Sequence, residues 1–317
     1  MKIVSLDGQA LNPGDLSWAC FEKFGEVTVY PRTAPHETIQ RLQGVDVVLV
    51  NKVLITEEVL AACPDLKLIC VLATGYNVVD CDAARRRGIP VCNVPDYSTN
   101  AVSQFTFSLL LEICNAVGHH DRVVHEGKWS ACPNFCFWDT PQMELAGKTL
   151  GIIGFGRIGR AVGRIAKAFG MNVLAYNRSR CAEGEAIGTY VDMDTLLAQS
   201  DVVSLHLPLS AENVKMVNAD FLGKMKNGAI LLNTARGGLI DEQALVDALA
   251  SGKLRAAASD VVTVEPMPAD SPLLTAPNMV ITPHMAWAPL EARQRILDTT
   301  VASIEGWLAG KCVNVVN

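Results

Sequence analysis

The sequence predicts an α/β protein made of two doubly wound parallel sheets. Short runs rich in Val, Ile and Leu alternate with amphipathic helical runs. This alternation occurs twice, before and after a long apolar helix near the middle of the chain. Parallel strands need a long crossover that is normally a helix, so the spacing is typical of parallel sheets covered on both faces. At 317 residues the chain is long enough for about two such domains.

Composition and charge argue against several other classes of protein. Hydrophobic residues form 50% of the chain, enough for a large core, yet no apolar run reaches the ~18 residues that span a bilayer. The formal net charge of −6 argues against nucleic acid or an anionic membrane as a partner. The chain begins directly with a strand pattern rather than a charged and apolar leader, so we expect a cytoplasmic protein. The ten cysteines show no metal-ligand spacing, so we expect reduced thiols and no metal site.

The first part of the chain contains five predicted strands with helices between them. The strands are Ile3–Leu6, Val27–Tyr30, Val45–Val50, Lys67–Leu72 and Val91–Val94. The helices are Leu16–Phe24, His36–Leu42, Thr56–Ala62 and Cys81–Arg87. A long apolar helix follows at Asn100–Cys114.

The second part begins after a loop-rich arm, Gly118–Gly147. Its predicted strands are Leu150–Ile153, Val173–Tyr176, Val202–Leu205, Ala229–Leu232, Ala256–Val261 and Val280–Thr282. The arm contains four aromatic residues, which are typical of subunit interfaces, so we expect a homodimer: Trp129, Phe135, Phe137 and Trp138. The last helix, Leu290–Leu308, follows the second sheet, and we place it back against the first domain. The predicted domains are therefore residues 1–98 with 287–317, and residues 99–286.

A glycine-rich turn opens the second sheet. The strand Leu150–Ile153 ends in Gly154-Phe-Gly156-Arg-Ile-Gly159, and a helical pattern follows at Arg160–Phe169. Gly154 permits the sharp turn, Gly156 lets the backbone approach a pyrophosphate, and Gly159 lets the helix pack closely on the sheet. The N–H groups at the start of that helix then face the anionic diphosphate. Between a strand and a helix, this motif predicts a dinucleotide site rather than a structural turn.

Three later strands are each followed by polar residues. Arg236 lies in Asn-Thr-Ala-Arg-Gly-Gly, Glu265 precedes a proline, and His284 ends Thr-Pro-His. Each residue taken alone has a simpler interpretation, as a surface arginine, a loop acid and a core histidine. Ligands of doubly wound sheets bind at the carboxyl edge of the strands, so we expect these three side chains to lie near a ligand.

Taken together, these motifs resemble those of the D-isomer-specific 2-hydroxyacid dehydrogenase family, over essentially the whole chain. The resemblance implies a Rossmann-type NAD(P)-binding domain, a flavodoxin-like substrate domain and an interdomain cleft. It also implies a catalytic triad of Arg236, Glu265 and His284. The implied activity is reduction of a small 2-keto acid to the D-2-hydroxy acid.

Elementary chemistry is consistent with those three roles. Arg236 can bind a carboxylate through two parallel charge-assisted hydrogen bonds. A protonated His284 can donate a proton to the carbonyl oxygen as hydride arrives at the carbon. Glu265, bonded to the other ring nitrogen, would fix the ring and favour the imidazolium.

Further contacts are predicted for both ligands. The cofactor contacts, besides the three glycines, are Arg157, Ile158, Asn177, Arg178, Ser179, His206, Pro208, Thr234, Ala235, Asp260 and Thr106. His206 lies in a segment that lines the cofactor in the family, and we assign it a contact without proton transfer. The substrate contacts, besides Arg236 and His284, are Trp287 and the glycine-containing turn Ala73, Thr74 and Gly75, whose N–H groups can face a carboxylate.

The end of the second strand of this sheet bears on the choice between NAD and NADP. NAD-binding members usually carry an acid there, which bonds the ribose diol. Here the strand ends in Asn177, followed by Arg178, Ser179 and Arg180. Loss of the acid removes a repulsion of the 2′-phosphate, and either arginine can pair with it. We therefore expect NADP or NAD, with a modest preference for NADPH.

Substrate choice follows from the resemblance and one aromatic residue. Three segments in combination resemble the glycerate dehydrogenase, or hydroxypyruvate reductase, branch: Val71–Asn77, Val91–Pro95 and His284–Pro289. A bulky Trp287 would favour hydroxypyruvate and glyoxylate over larger keto acids, unless it only packs the domain junction. The alternatives are a reductase of the D-lactate dehydrogenase or 2-ketogluconate reductase type, and a nucleotide-sensing binding protein that resembles a corepressor.

Overall fold

The computed structural model describes residues 1–317, which contain twelve strands and twelve α-helices. The strands are β1 (Lys2–Ser5), β2 (Glu26–Val29), β3 (Val47–Val50), β4 (Leu68–Val71), β5 (Val91–Cys92), β6 (Thr149–Ile153), β7 (Asn172–Tyr176), β8 (Thr189–Tyr190), β9 (Val202–Leu205), β10 (Ala229–Asn233), β11 (Leu254–Ser259) and β12 (Met279–Ile281).

The helices lie between the strands, as the crossovers of parallel sheets require. They are α1 (Gly8–Leu11), α2 (Thr38–Arg41), α3 (Glu57–Ala62), α4 (Cys81–Arg86), α5 (Thr99–Asn115), α6 (Val117–His125), α7 (Arg157–Ala168), α8 (Ala182–Glu185), α9 (Met193–Gln199), α10 (Ala219–Lys224), α11 (Glu242–Ala250) and α12 (Leu290–Leu308).

The chain forms two compact units, Met1–Ser98 with Trp287–Asn317, and Thr99–Ala286. The first unit has a five-stranded sheet in the order β2-β1-β3-β4-β5. The second has a seven-stranded sheet in the order β12-β11-β10-β9-β6-β7-β8. Every pairing in both sheets is parallel. The predicted fold class, two parallel-sheet α/β domains, is confirmed.

Burial in the second sheet shows why its strands read as continuous apolar runs. All five residues of β10 are buried. Leu231 belongs to one core cluster, whereas Ile230 and Leu232 belong to another. Successive side chains of a strand point to opposite faces, so these clusters lie on the two faces of one sheet.

The C-terminal helix α12 is held within the first unit by a buried arginine. Arg293 is 7% exposed and donates to both carboxylate oxygens of Asp15, at 2.7 and 2.6 Å. It also donates to the carbonyl oxygens of Leu11 and Ala288, at 3.0 and 2.7 Å. The guanidinium nitrogens of Arg293 thus all donate hydrogen bonds, which removes most of the cost of burying this charge.

Several predicted helix bounds were wrong, for local reasons. The helix predicted at Leu16–Phe24 is a 3-10 helix that begins only at Ala19. The amide of Asn12 bonds both N–H and C=O of Leu16, at 3.0 and 2.7 Å, and holds the preceding segment as a loop. The helix predicted at His36–Leu42 is a 3-10 turn, Pro35–Glu37, followed by the short α2.

Two corrections concern the second unit. The helix predicted at Arg160–Phe169 is α7, which begins at Arg157, because Gly156 is its N-cap and Gly159 already lies in its first turn. The arm predicted as loop-rich, Gly118–Gly147, begins instead inside α6, where Ala116 in a left-handed conformation starts a new helix after α5.

No single helix is long and apolar enough to cross a membrane, and only the bent pair α5 and α6, at 57°, passes that test by length and composition. In α5, Phe107, Leu109 and Leu110 are buried in the core of the second unit.

Candidate active site

Three neighbouring strands bring the predicted polar residues to one edge of the second sheet. β10 pairs with β11, and β11 pairs with β12, all in parallel. Arg236 follows β10, Asp260 follows β11 and His284 follows β12. Since parallel strands end at the same edge, the three loops after them share one side of the sheet.

A histidine and a carboxylate form the central pair of this edge. The Nδ1 atom of His284 lies 2.6 Å from Oε2 of Glu265. The other carboxylate oxygen, Oε1, accepts the N–H of Val262 at 3.2 Å. The side chains are 30% and 34% exposed, respectively, so the pair can meet a ligand from solvent. Because a carboxylate only accepts, Nδ1 carries a hydrogen and the ring orientation is fixed.

The backbone of His284 has an unusual conformation. Its φ is +53°, in the left-handed region that side chains other than glycine rarely adopt. Its N–H donates to the carbonyl oxygens of Asp260, at 2.8 Å, and Thr282, at 3.0 Å. A strained residue of this kind persists only where neighbouring contacts hold it, and such residues concentrate at functional sites.

The carboxylate of Asp260 provides most of those contacts. Asp260 is 1% exposed, and its Oδ1 accepts from the hydroxyl of Thr282 at 2.6 Å and from the N–H of Met285 at 2.9 Å. Its Oδ2 accepts from the N–H of Ala286 at 2.8 Å. Asp260, predicted as a cofactor contact, is thus committed to the loop that carries His284.

The turn after β10 holds Arg236 at the surface. The amide of Asn233 donates to the carbonyl of Arg236, at 2.9 Å, and accepts from the N–H of Ala235, at 3.0 Å. The guanidinium of Arg236 is exposed and donates to the carbonyl of Ala235 at 2.7 Å. Its remaining N–H groups are the right donors for a carboxylate.

Gly237 explains how this turn lies against the segment that contains Glu265. A Cβ atom at Gly237 would lie 1.9 Å from the carbonyl carbon of Val262. Val262 is the residue whose N–H bonds Glu265. The backbone at Gly237 therefore lies closer to the backbone of Val262 than any side chain would allow, and this joins the arginine turn to the carboxylate segment.

The glycine-rich turn lies where the strand order of the sheet reverses, between β6 and β9. Gly154 has φ +93°, and a Cβ there would lie 2.6 Å from the backbone of His206. A Cβ at Gly159 would lie 2.3 Å from the carbonyl oxygen of Gly154. A Cβ at Gly156, by contrast, would meet no atom within 4 Å.

These observations test whether the turn fits a dinucleotide. The space outside Gly156 is open, and the exposed Gly156 and Arg157 begin the twelve-residue helix α7. Helix N-termini attract phosphates because their first N–H groups lack intrahelical partners. The turn therefore fits a pyrophosphate, with Ile158 in the first helical turn.

His206 follows β9 at the same edge of the sheet. Its Nε2 lies 2.8 Å from the hydroxyl of Ser204, and its N–H donates to Ile153 at 2.7 Å. Desolvation by burial lowers the pKa of His206 to about 4. The ring is therefore neutral at physiological pH, which suits a hydrogen-bonding contact and not proton transfer.

The residues after β7 are open to solvent. Asn177 donates to the carbonyl of Ser179 at 2.9 Å, which shapes this turn. Arg178 and Arg180 are exposed, and the guanidinium of Arg180 lies 5.7 Å from the ring centre of Tyr190. Two cations and no carboxylate thus follow the second strand of this sheet, at Asn177–Arg180.

Thr106 and Thr234 lie deeper than their predicted role suggests. They are 1% and 9% exposed, and their hydroxyl oxygens lie 3.1 Å apart. Thr106 also donates to the carbonyl of Val102 at 2.8 Å. Pro208, in contrast, lies on the exposed loop after His206, where its carbonyl accepts from Asn213 at 2.8 Å.

The remaining predicted residues belong to the first unit. Ala73, Thr74 and Gly75 follow β4, and Thr74 is tied to the segment after β5. The hydroxyl of Thr74 donates to the carbonyl of Val94 at 2.8 Å. The side-chain amide of Asn93 donates to the carbonyl of Thr74, also at 2.8 Å. A separate aromatic contact places Trp287 edge-on to Tyr97, with ring centres 6.5 Å apart.

Sequence reasoning missed the residues that position the others. Asn233 shapes the arginine turn, Thr282 bonds the carboxylate that holds the histidine loop, and Glu242 accepts the N–H of Thr263, beside the carboxylate segment, at 2.8 Å. Asp260 was predicted, but as a cofactor contact and not as the residue that holds this loop. A usable signal was present for Asp260 and Thr282, since both are polar residues directly after strands, the largely buried β11 and the half-buried β12. Glu242 lies in a helix 23 positions before Glu265 (265 − 242) and gave no such signal.

Comparisons with known proteins find relatives over the whole length of the chain. The family model for the D-isomer specific 2-hydroxyacid dehydrogenase, NAD binding domain, matches residues 107–286. A hydroxypyruvate reductase from Blautia hydrogenotrophica is 53% identical, with 100% of both chains covered. A glycerate dehydrogenase from Methylorubrum extorquens is 42% identical and covers 99% of this chain and 98% of its own. A solved structure of an acyclic imino acid reductase in complex with NADPH and D-Arg has 33% identity and a TM-score of 0.85, over 100% of both chains.

Two substitutions separate the roles of the glycines in the glycine-rich turn after β6. We expect Gly156→Ala to leave the urea midpoint near wild type, because its Cβ has room, but to raise the Kd for NADPH by at least about tenfold. Gly159→Ala should instead lower the free energy of unfolding by about 1–3 kcal/mol, because its Cβ overlaps the carbonyl of Gly154. Urea unfolding and fluorescence titration with NADPH measure both quantities. Unchanged NADPH affinity in Gly156→Ala would contradict the assignment.

Proposed function

The chain belongs to the D-isomer specific 2-hydroxyacid dehydrogenase family, and from this premise we propose that it reduces hydroxypyruvate or glyoxylate to the D-2-hydroxy acid with NADPH or NADH. The names of its relatives, hydroxypyruvate reductase and glycerate dehydrogenase, support this substrate class. The observation that carries the proposal is the hydrogen-bonded pair of His284 and Glu265, which lies on the same sheet edge as the exposed Arg236.

Arg236 is the proposed anchor for the substrate carboxylate. Its guanidinium is exposed and has one intrachain acceptor, the carbonyl of Ala235. A planar guanidinium can bind both carboxylate oxygens at once, and this fixes the position of the adjacent carbonyl group. On the first unit, Ala73, Thr74 and Gly75 are the proposed further contacts with the carboxylate, through backbone N–H groups.

His284 is the proposed proton donor in reduction and the acceptor in oxidation. Reduction breaks the π bond of the carbonyl, adds a hydride to carbon and adds a proton to oxygen. When bound, the reduced nicotinamide supplies the hydride and is oxidised. Glu265 holds Nδ1, so the proton for the substrate oxygen comes from Nε2 of His284. Glu265 also offsets the positive charge of the imidazolium while His284 carries that proton.

Trp287 is the proposed limit on the size of the substrate side chain. Its indole is partly buried and packs edge-on against Tyr97. Two aromatic rings in contact form a wall with little freedom to move, since each has only two rotatable side-chain bonds. This supports glyoxylate and hydroxypyruvate over larger keto acids.

A panel of 2-keto acids tests the activity. We expect loss of reduced nicotinamide absorbance with hydroxypyruvate and glyoxylate, and a lower kcat/KM with pyruvate. His284→Gln should lower kcat by about 10²–10⁴ with little change in cofactor affinity, because the ring acts only on the proton. Arg236→Lys should mainly lower kcat/KM, because an ammonium group cannot bind two oxygens in one plane.

His125→Gln is the matched control for the histidine variant, since that ring is 80% exposed on the arm, in α6. Its kinetics should equal those of the wild type. Tight cofactor binding without turnover of any keto acid would favour a nucleotide-sensing binding protein instead.

The choice of cofactor depends on the turn after β7. We propose NADPH as the preferred cofactor, because Asn177 replaces a carboxylate and Arg178 is exposed beside it. The ratio of kcat/KM for NADPH to that for NADH should exceed one and should fall in Asn177→Asp, which restores the charge that repels a 2′-phosphate. Asn172→Asp, on the exposed start of the same strand, should leave the ratio unchanged. A strong wild-type preference for NADH would overturn this choice.

We also propose a homodimer formed through the arm. Phe135, Trp138 and Trp129 are 88%, 66% and 52% exposed in the single chain. Large exposed aromatic residues close together in sequence are typical of protein interfaces. Sedimentation should show a dimer, and the double variant Phe135→Glu/Trp138→Glu should be monomeric. Leu274→Glu, at another exposed apolar residue, is the control that should stay dimeric. A wild-type monomer at all concentrations would exclude this arrangement.

A further inference from the structure

The first unit contains a crevice at the carboxyl edge of its own sheet. It lies where the strand order reverses, between β1 and β3, which is where ligands bind in open parallel sheets. Residues after β1, β2 and β3 line it, and its volume is about 1070 Å³. That volume is slightly above the range of about 300–1,000 Å³ that is typical of small-molecule sites. None of the residues proposed above for the reaction lines this crevice.

We propose that this first-unit crevice is a second ligand site, for a small organic anion with an apolar body. The proposal rests on the rigidity of its two walls, on the charges at its rim and on its apolar lining. It does not depend on the reduction of keto acids proposed above.

The wall after β3 is held by a buried carboxylate. Asp7 is 7% exposed, and its Oδ1 accepts the N–H of Asn51 at 3.0 Å. Its Oδ2 accepts the N–H groups of Lys52, at 2.5 Å, and Val53, at 3.2 Å. Charge-assisted bonds to three successive N–H groups fix this loop, and they also satisfy the negative charge of Asp7.

The wall after β2 is held by an arginine behind it. Arg41 donates to the carbonyl of Arg32 at 2.6 Å and to the hydroxyl of Thr33 at 2.7 Å. It also pairs with Glu37 at 2.6 Å, and Glu37 accepts the N–H of Ala34 at 2.8 Å. Both walls are thus preformed, which lowers the entropic cost of binding a ligand.

The charges at the rim favour an anion. The side chains of Arg32 and Lys52 line the crevice, are exposed, and form no ion pair. His36 also lines it. The acids that line it are Asp7, whose oxygens already accept N–H groups, and the exposed Glu58. The rim therefore carries two cations outside any ion pair and one acid, Glu58, that accepts no backbone N–H.

The interior of the crevice is largely apolar. Its apolar lining comes from prolines and branched aliphatic residues, namely Pro31, Pro35, Ile39, Val53, Leu54 and Val59. Leu54 is 60% exposed, so its side chain is accessible to a ligand in the crevice. An apolar surface beside two cations suits a molecule with an anionic head, carboxylate or phosphate, and a hydrocarbon body.

Calorimetric titration of the full chain, saturated with NADPH, tests the proposal with three probes of equal chain length: decanoate, decyl phosphate and decan-1-ol. We expect both anions to bind at least about tenfold more tightly than the alcohol. The double variant Arg32→Gln/Lys52→Gln should remove that difference, and the tighter of the two anions identifies the head group.

Other variants test each part of the crevice. Lys2→Gln/Lys311→Gln, at exposed cations elsewhere in the first unit, should bind like the wild type. Glu58→Gln should tighten anion binding, and Leu54→Asp should weaken all three probes. Matching urea midpoints show that the variants fold. Equal affinity for the anions and the alcohol, or unchanged anion affinity in the arginine–lysine variant, would overturn the proposal, whatever the enzyme does with keto acids.

Discussion

The buried carboxylate of Asp260 is the contact on which the candidate active site depends. It accepts three hydrogen bonds from the loop after β12 and keeps His284 in a left-handed backbone conformation. That conformation directs the imidazole to Glu265. Without the acceptor, two backbone N–H groups and a hydroxyl would need new partners, and the strained residue would lose what holds it.

Close backbone packing places the rest of the site around this pair. Gly237 allows the arginine turn to lie against the carboxylate segment, and Gly154 allows the turn after β6 to lie against His206. Any side chain at these positions would overlap backbone atoms, which cannot move aside as a flexible side chain can. The glycines that appear in the sequence as motifs are therefore steric requirements of the edge where ligands bind.

A buried aspartate also holds a loop in the first unit, where Asp7 accepts three N–H groups of the loop after β3. In each unit an aspartate one or two residues after a strand, Asp260 after β11 and Asp7 after β1, fixes the loop that follows a neighbouring strand. A carboxylate suits this task because it accepts several hydrogen bonds at once, and burial strengthens each of them. One unit thereby positions a histidine, and the other forms the wall of a crevice.

Strand positions were predicted well because a buried parallel strand is a continuous apolar run, which is visible in the sequence of β9 and β10. Helix bounds were predicted less well where side chains bond the backbone locally, as Asn12 does before the 3-10 helix Ala19–Phe24. Such bonds compete with the helix, and hydrophobic periodicity carries no trace of them.

The sequence by itself determined the parallel α/β class, the glycine-rich turn and the polar strand ends, because periodicity and residue size act over a few neighbouring positions. Only the tertiary structure decided that Glu265 bonds His284 across 19 positions, and that Asp260 holds the histidine loop across more than 20. Each of these contacts depends on which strands lie side by side. That order is set by the packing of the whole sheet, and no local pattern records it.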